Sequence, residues 1–484
     1  MSFHLACKRA SMCTRFPAGV LLLVCVVFGK SRIAAGCFDE VVFSGDNLYP
    51  LQKAESKRIV SLGEKDTWQD CQEACANSSE PCHSWTYYSY SKGLTKTCFG
   101  RTDEYWNPEY LYEPGVDLPV VSGVNCKSPP AAALPNAPPP NVQFSWDHVP
   151  VFIHTSNTTG PFNEQALQIM AKFPIVTIEK YQGPNSGYHY PAEKWVCCEE
   201  DRIVDTLKSV KKINPNITGI FYYNMVLDFP QYRLHENFAK NESWWLHDQF
   251  GNVVKVGGDG HNTQDLLVYD TTQEAVSELF MHACLDLVPS GAVDGCFIDR
   301  PVDGLPHQNM TTDMSVNLMA SHVTTLQAFQ EQLKRGPLIA NHAYGMPGVN
   351  AAMIEGFKPT EENIMLLQWT ADRGKLVEAH MVGGDCTTDE GIQDHLAAFL
   401  IGAGNYSYFG CGPWFTSTSI DSQWKASYDK PLGAPLGRPS KTKSVYTRKF
   451  ASGTTVHFDC STNKGTIDWA KSLEMKQYAD DLIY

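Results

Sequence analysis

From residue 141 onward, short apolar runs alternate with longer stretches whose apolar residues recur every three or four positions. The short runs have the length and composition of buried β-strands, and the longer ones have the period of amphipathic helices. The eight predicted strands are 149–155, 175–180, 219–229, 295–300, 337–342, 351–357, 376–383 and 406–412. The predicted helices cover about 163–173, 199–212, 273–288, 315–334, 360–373 and 388–401. This alternation predicts an α/β fold, a (β/α)8 TIM barrel.

After the eighth predicted strand, residues 444–460 read SVYTRKFASGTTVHFDC. Two alternating runs flank Ser452 and Gly453, which is typical of a β-hairpin. We therefore expect a C-terminal β extension packed on the barrel, within one region that spans 141–484.

The chain before residue 141 has a different pattern. Basic residues, the apolar run 18–28 and small residues at 34–36 have the layout of a signal peptide, cleaved before Cys37. Residues 37–127 contain six cysteines, which are Cys37, Cys71, Cys75, Cys82, Cys98 and Cys126. So many cysteines in a short secreted segment predict a disulfide-rich α+β module, and their spacing leaves the pairing open. Residues 128–140, SPPAAALPNAPPP, predict an extended linker.

Composition and charge agree with a secreted protein. The formal net charge of −14 disfavours nucleic acid as a partner. No second apolar stretch is long enough to span a membrane once the signal is removed. Six potential N-glycosylation sites occur, at Asn77, Asn157, Asn216, Asn241, Asn309 and Asn405. We expect the mature protein in the secretory pathway or outside the cell.

Acidic residues at the ends of two predicted strands are the strongest candidates for catalysis. Phe297 and Asp299 share one face of the fourth strand, and Met353 and Glu355 share one face of the sixth. In a TIM barrel these carboxyl ends open at the mouth, where the two carboxylates can face each other. Glycoside hydrolysis requires such a pair, and the sequence does not choose between retention and inversion.

Other polar and aromatic residues are candidates for binding a sugar. They are Glu179, Asp228, Trp244, Trp245, Arg300, Asn341, His342 and Trp414. Structural alternatives remain open for several of them: core packing for the tryptophans and a turn cap for His342. For the catalytic candidate Glu355, the alternative is a buried ion pair with Arg300. The histidines lack a tight metal-ligand spacing, so no metal site and no cofactor are predicted. Seven cysteines beyond the linker leave one thiol over.

Several runs resemble known families. The order of the runs WWLHDQFGNVV, LLVYDTTQEAV, VDGCFIDR, LIANH with MIEGF, and YTRKFASGTTVHF resembles that of a family of TIM-barrel glycosyl hydrolases. The arrangement is also similar to the α-galactosidase-like clan, and this resemblance implies that Asp299 is the nucleophile and Glu355 the acid/base.

Residues 37–127 resemble the PAN/Apple module in cysteine count, the C-x3-C helix and the aromatic strand. That resemblance implies the pairs Cys37–Cys126, Cys71–Cys98 and Cys75–Cys82, and a module that binds glycans or glycoproteins.

The hypothesis from the sequence is a secreted glycoside hydrolase that acts on an extracellular or cell-wall polysaccharide or oligosaccharide. One alternative is a non-catalytic carbohydrate-binding or matrix protein on a degenerate barrel. A second is a barrel lyase or transglycosylase that acts on the same polymers. The fold class does not decide among them.

Overall fold

The computed structural model describes residues 42–44, 59–65, 68–79, 84–88, 97–101, 120–124, 140–183, 197–257, 265–305, 308–344, 346, 348–416 and 420–470. The predicted signal peptide, nearly all of the predicted linker and the cysteines Cys37, Cys82 and Cys126 lie outside these residues. No helix of the described part of the chain is long and apolar enough to cross a membrane.

Eight parallel strands form the barrel in the predicted order. They are β1 (Phe152–Asn157), β2 (Ile175–Ile178), β3 (Thr218–Asn224), β4 (Gly295–Asp299), β5 (Leu338–Asn341), β6 (Ala351–Glu355), β7 (Leu376–Met381) and β8 (Ser407–Cys411). Each strand pairs in parallel with the next. A bridge between Val151 and Phe409 joins β8 to the start of β1. The predicted barrel is confirmed.

Among the described residues of the barrel region, six helices of seven residues or more follow the strands. They are α1 (Glu164–Met170), α2 (Glu199–Ile213), α3 (Glu274–Leu285), α4 (Thr312–Leu333), α5 (Glu361–Asp372) and α6 (Asp389–Gly402). Threonine caps explain where the last three begin, because Thr311, Thr360 and Thr388 each accept a backbone N–H three residues on. The predicted third helix was too long, since α3 ends at Leu285 and a 3-10 turn with proline at its start follows.

The third strand is also shorter than predicted. It ends at Asn224 rather than 229, because the Asn224 side-chain oxygen accepts the backbone N–H groups of Val226 and Leu227. This turn diverts the chain from the sheet. Asp228 therefore follows the strand instead of lying within it.

Side chains of alternating strand positions form two separate cores. Inside the barrel lie Phe152, Ile175, Ile220, Tyr222, Phe297, Ile339, Ala351, Met353, Leu376 and Tyr408. Cys296 and Ile298 belong to the other core, between strands and helices. The strand period of two thus directs Phe297, and with it Asp299, to the interior as predicted.

A four-stranded antiparallel sheet follows the barrel. Its strands are β9 (Ser440–Thr442), β10 (Val445–Lys449), β11 (Thr455–Asp459) and β12 (Lys464–Asp468). The predicted hairpin is confirmed as β10 and β11, and it lies within this larger sheet.

Arg448 of β10 connects this sheet to the barrel's outer layer. Its side chain is 8% exposed, and Nη1 donates to the carbonyl oxygens of Leu400, Ile401 and Ala403 at the end of α6. A cation at this end of a helix satisfies carbonyls that lack helical partners and opposes the helix dipole.

Cysteines form disulfides on both sides of the linker. Cys71 and Cys98 are joined, with a Cα–Cα distance of 5.5 Å, and this is the pair that the PAN/Apple resemblance implies. Cys75 is also disulfide-bonded. The pairs of the barrel region are Cys197–Cys198, Cys284–Cys296 and Cys386–Cys411, and Cys460 is free. The leftover thiol expected from the odd cysteine count is therefore Cys460.

We predict that Arg448→Met lowers the free energy of unfolding by about 2–3 kcal/mol, because the helix-end carbonyls lose their charged donor. Urea denaturation measures this change. Arg438→Met is the matched control, because the exposed Arg438 pairs with Asp372 at the surface and is expected to contribute under about 1 kcal/mol. Equal losses in both variants would contradict the role given to Arg448.

Candidate active site

Asp299 and Glu355 are the last residues of β4 and β6, and they meet at the barrel mouth. Nδ2 of Asn341, the last residue of β5, donates to Oδ1 of Asp299 at 3.1 Å and to Oε2 of Glu355 at 2.7 Å. Because both oxygens contact one nitrogen, their separation cannot exceed the two distances together, roughly 6 Å. The intervening strand thus supplies an amide that links the two predicted catalytic carboxylates.

The carboxylate of Asp299 is surrounded by hydrogen-bond donors. Tyr222 Oη and Asn224 Nδ2, both from β3, donate to Oδ2 at 2.8 and 3.0 Å. The backbone N–H of Arg300 donates to Oδ1 at 2.9 Å, in addition to the Asn341 amide. This arrangement fixes the orientation of the carboxylate within the mouth.

Glu355 contacts a histidine as well as the Asn341 amide. Nε2 of His342 lies 3.4 Å from Oε2 of Glu355, and Nδ1 of His342 lies 2.7 Å from the hydroxyl of Tyr344. Burial raises the pKa of Glu355, but the hydrogen bonds and charge of His342 and the Asn341 amide outweigh burial. The pKa of Glu355 therefore lies below its usual range.

A second group of buried charges lies beside Tyr222. Glu179 follows β2 and contacts His154 of β1, with 2.9 Å between Oε2 and Nε2. Lys180 Nζ donates to Oε1 of Glu179 at 3.0 Å and to the Tyr222 oxygen at 3.1 Å. These contacts connect Glu179 to Asp299 through Lys180 and Tyr222.

Aromatic side chains line the mouth between β7 and β1. The Trp414 ring stacks on His380 of β7 with 3.9 Å between centroids, and it meets the edge of His154 at 4.6 Å. Burial lowers the pKa of His380 to about 3, so this imidazole is neutral at ordinary pH. Trp414 is only partly buried and can offer a ring to a sugar.

Glu378, two residues before His380, is a buried acid inside the barrel. It is 0% exposed, and no described residue hydrogen-bonds either carboxyl oxygen. Its partners in strand register are Met353 and Tyr408. Burial raises the pKa of Glu378 well above its usual range and so favours the protonated, neutral side chain.

The predicted site residues thus fall into two groups. The first group lies at the barrel mouth with Asp299 and Glu355, and its members are Asn341, His342, Glu179, Trp414 and Arg300. The guanidinium of Arg300 pairs with Asp303. Asp228 lies elsewhere, in the outer core, where His235 and Tyr269 bind its oxygens.

The two tryptophans of the excursion after β3 pack locally. Trp245 is buried against Phe238 and Tyr269, and Trp244 packs on the edge of Phe238. The structure therefore places both tryptophans in core packing, which was the alternative to sugar binding.

Five residues of the mouth were missed in the sequence: His154, Lys180, Tyr222, Asn224 and His380. Four of them lie at alternate positions of predicted strands, so extending the period of two to every strand would have found them. Lys180 follows β2, and no local signal marks it.

The barrel and its paired carboxylates are typical of glycoside hydrolases. The model of the hypothetical glycosyl hydrolase family 15 matches residues 211–454, half of the chain. The chain belongs to this family. The match includes Tyr222, Asp299, Asn341 and Glu355.

Solved structures of bacterial enzymes are similar at low identity. The glycoside hydrolase domain of PelA from Pseudomonas aeruginosa is 13% identical, over 55% of this chain and 96% of that one, with a TM-score of 0.35. An α-galactosidase from Thermus thermophilus is 14% identical, over 71% and 74%, with a TM-score of 0.39. An α-amylase from Geobacillus thermoleovorans is 11% identical, over 65% and 86%, with a TM-score of 0.38. No curated protein sequence matches this chain.

We predict that Glu378→Gln changes stability in a pH-dependent way. The folded protein binds the Glu378 proton more tightly than the unfolded chain does, so the wild type loses stability as pH rises above about 4.5. The glutamine does not titrate. The variant should therefore gain stability relative to the wild type between about pH 4 and pH 8 in urea denaturation.

The exposed Glu331, replaced by Gln, is the control and should show a smaller pH-dependent difference. A stability difference for Glu378→Gln that stays constant across this pH range would rule out a buried neutral acid.

Proposed function

We propose that this protein is a secreted glycoside hydrolase that cleaves glycosidic bonds of an extracellular or cell-wall glycan. Membership in a glycosyl hydrolase family supports the reaction class. The observation that carries the proposal is the convergence of Asp299 and Glu355 on the Asn341 amide. Two such carboxylates suffice for the reaction without a metal or cofactor.

In this proposal Asp299 is the nucleophile and Glu355 the acid/base. Asp299 attacks the anomeric carbon while Glu355 donates a proton to the departing oxygen. Water then attacks the glycosyl-enzyme, and Glu355 accepts its proton. The donors Tyr222 and Asn224 stabilise the Asp299 carboxylate when the second step releases it.

The short separation of the carboxylates supports a retaining mechanism. Retaining enzymes place them about 5–5.5 Å apart, whereas inverting enzymes need about 6.5–9.5 Å to admit a water molecule. The limit of roughly 6 Å that Asn341 sets applies to Oδ1 of Asp299 and Oε2 of Glu355, and for this pair of oxygens it favours the retaining geometry.

The surrounding residues suit a sugar. Trp414 offers an aromatic ring, and Asn341, His342, Glu179 and Arg300 supply polar groups for hydroxyls. The disulfide between Cys71 and Cys98 supports an oxidising compartment, and with it secretion. The segment that contains it is proposed to bind a glycan or glycoprotein and so hold the barrel near its substrate.

We predict that Asp299→Asn and Glu355→Gln each remove hydrolysis, with falls of ~10²–10⁴-fold or more, because each loses a group that acts in the transition state. Initial rates on a panel of aryl glycosides and polysaccharides measure this. Asp372→Asn and Glu331→Gln, which change surface carboxylates, are the controls and should keep full rates.

Circular dichroism checks that each variant is folded. Full activity in either site variant would remove that carboxylate from the mechanism. Glycan binding without turnover by the wild type would favour the carbohydrate-binding alternative.

We predict that the first product keeps the anomeric configuration of the substrate. Proton NMR of the anomeric signal in the first minutes of hydrolysis, before mutarotation, measures this. An inverted product would show that the two carboxylates separate when substrate binds. The short distance between them in the free protein would then not predict the mechanism.

A further inference from the structure

His342, which contacts the proposed acid/base Glu355, has an unusual backbone conformation. It follows the last residue of β5, and its backbone is left-handed with φ of +58°. Consecutive strand residues normally point to opposite faces. Here the turn lets the side chains of Asn341 and His342, though adjacent in sequence, both reach Oε2 of Glu355.

The proposed reaction needs a proton on Glu355, and in the free enzyme the contacts of this carboxylate disfavour that protonated form. The contacts with His342 and Asn341 keep the pKa of this carboxyl below its usual range, whereas a general acid works best with a pKa near the working pH. A protonated neighbour must therefore supply the proton.

The other groups facing Glu355 cannot do so. His380 of β7 lies in register with Glu355, but burial lowers its pKa to about 3, so it is a neutral imidazole, which is too weak an acid to protonate Glu355. Asp299 is reached through Asn341, and a carboxamide is too weak an acid to relay a proton to Glu355. Tyr344 contacts Nδ1 of His342, and a phenol, with an ordinary pKa of about 10, is too weak an acid to protonate Glu355. Of the described residues around Glu355, His342 remains.

We propose that His342 is the positioning residue that stores the proton for Glu355. In the free enzyme the pair is an imidazolium and a carboxylate, with the proton on Nε2 of His342. Binding of a sugar excludes water from the mouth, which disfavours the charge-separated pair. The Nε2–H bond then breaks and an Oε2–H bond forms, leaving neutral imidazole and a protonated Glu355.

Over one complete turnover, the pair of His342 and Glu355 neither gains nor loses a proton. Glu355 passes its proton to the leaving oxygen and accepts one from the attacking water in the second step, and the pair is restored when the product leaves. Tyr344 holds the Nδ1 side of the ring, 2.7 Å away, and keeps Nε2 directed at Glu355. The contact of 3.4 Å must shorten on binding, as catalytic hydrogen bonds commonly do.

This inference rests on the proposed function, and it predicts a particular pH profile. The pair titrates as a unit, so the fall of kcat/KM at alkaline pH should report loss of the proton from the imidazole, near or above about pH 6.5. In His342→Asn, which suits a left-handed backbone, only Glu355 can hold the proton. The alkaline fall of kcat/KM should then shift to lower pH by at least about one pH unit.

Leaving groups provide a second measurement. With an alkyl or sugar leaving group, kcat of His342→Asn should fall ~10²-fold, whereas an activated dinitrophenyl glycoside, which needs no acid, should lose less than ~5-fold. His342→Gly leaves a cavity, and added imidazole should restore part of the rate. The exposed His282, replaced by Gln, is the control. An unshifted alkaline fall of kcat/KM, or equal losses on both substrates, would overturn the proposal.

A titration without substrate separates this proposal from the proposed function. NMR of imidazole-labelled protein should show the pKa of His342 lowered by Glu355→Gln, because the anionic partner is lost. If this coupling is found and no glycoside is hydrolysed, the pair stands and the hydrolase assignment fails. If His342 titrates identically in both proteins, the proton store is wrong whatever the activity.

Discussion

Two carboxylates that share one amide nitrogen, with oxygens at most roughly 6 Å apart, set the requirements for the rest of the barrel mouth. Carboxylates this close repel each other when both are ionised, and partly buried carboxylates lose some of the water that would otherwise stabilise them. The structure meets this cost with donors from neighbouring strands: Tyr222 and Asn224 on one side, His342 on the other, and Asn341 between them. The polar residues of the mouth are thus largely a consequence of this carboxylate pair.

Beneath this layer the barrel interior is apolar, and the contrast has a mechanistic consequence. Side chains such as Phe297 and Met353 fill the space below Asp299 and Glu355 and keep water out from that direction. Electrostatic contacts above them are stronger in such surroundings than in water. Glu378 is the exception within this core, and burial raises its pKa towards the neutral form, which costs less to bury than the carboxylate.

The charges of the mouth are arranged in pairs rather than as a field of one sign. Lys180 lies against Glu179, Arg300 binds Asp303, and His342 contacts Glu355. A mouth of this kind suits a neutral, hydroxyl-rich ligand, which can exchange hydrogen bonds with the pairs without an excess of charge. It also makes each ionisable group sensitive to its partner, which is why His342 matters to the proposed acid.

The sequence by itself determined the alternation of strands and helices, and with it the barrel, because the periods of two and 3.6 depend only on local geometry. The same period directed Asp299 and Glu355 inward, so both candidates could be predicted. Only the tertiary structure decided that Asn341 bridges them, that Trp245 belongs to a local core and that Asp228 lies outside the mouth. These outcomes depend on strand register and on turns such as those at Asn224 and His342, which reverse the direction of a side chain without leaving a periodic signal.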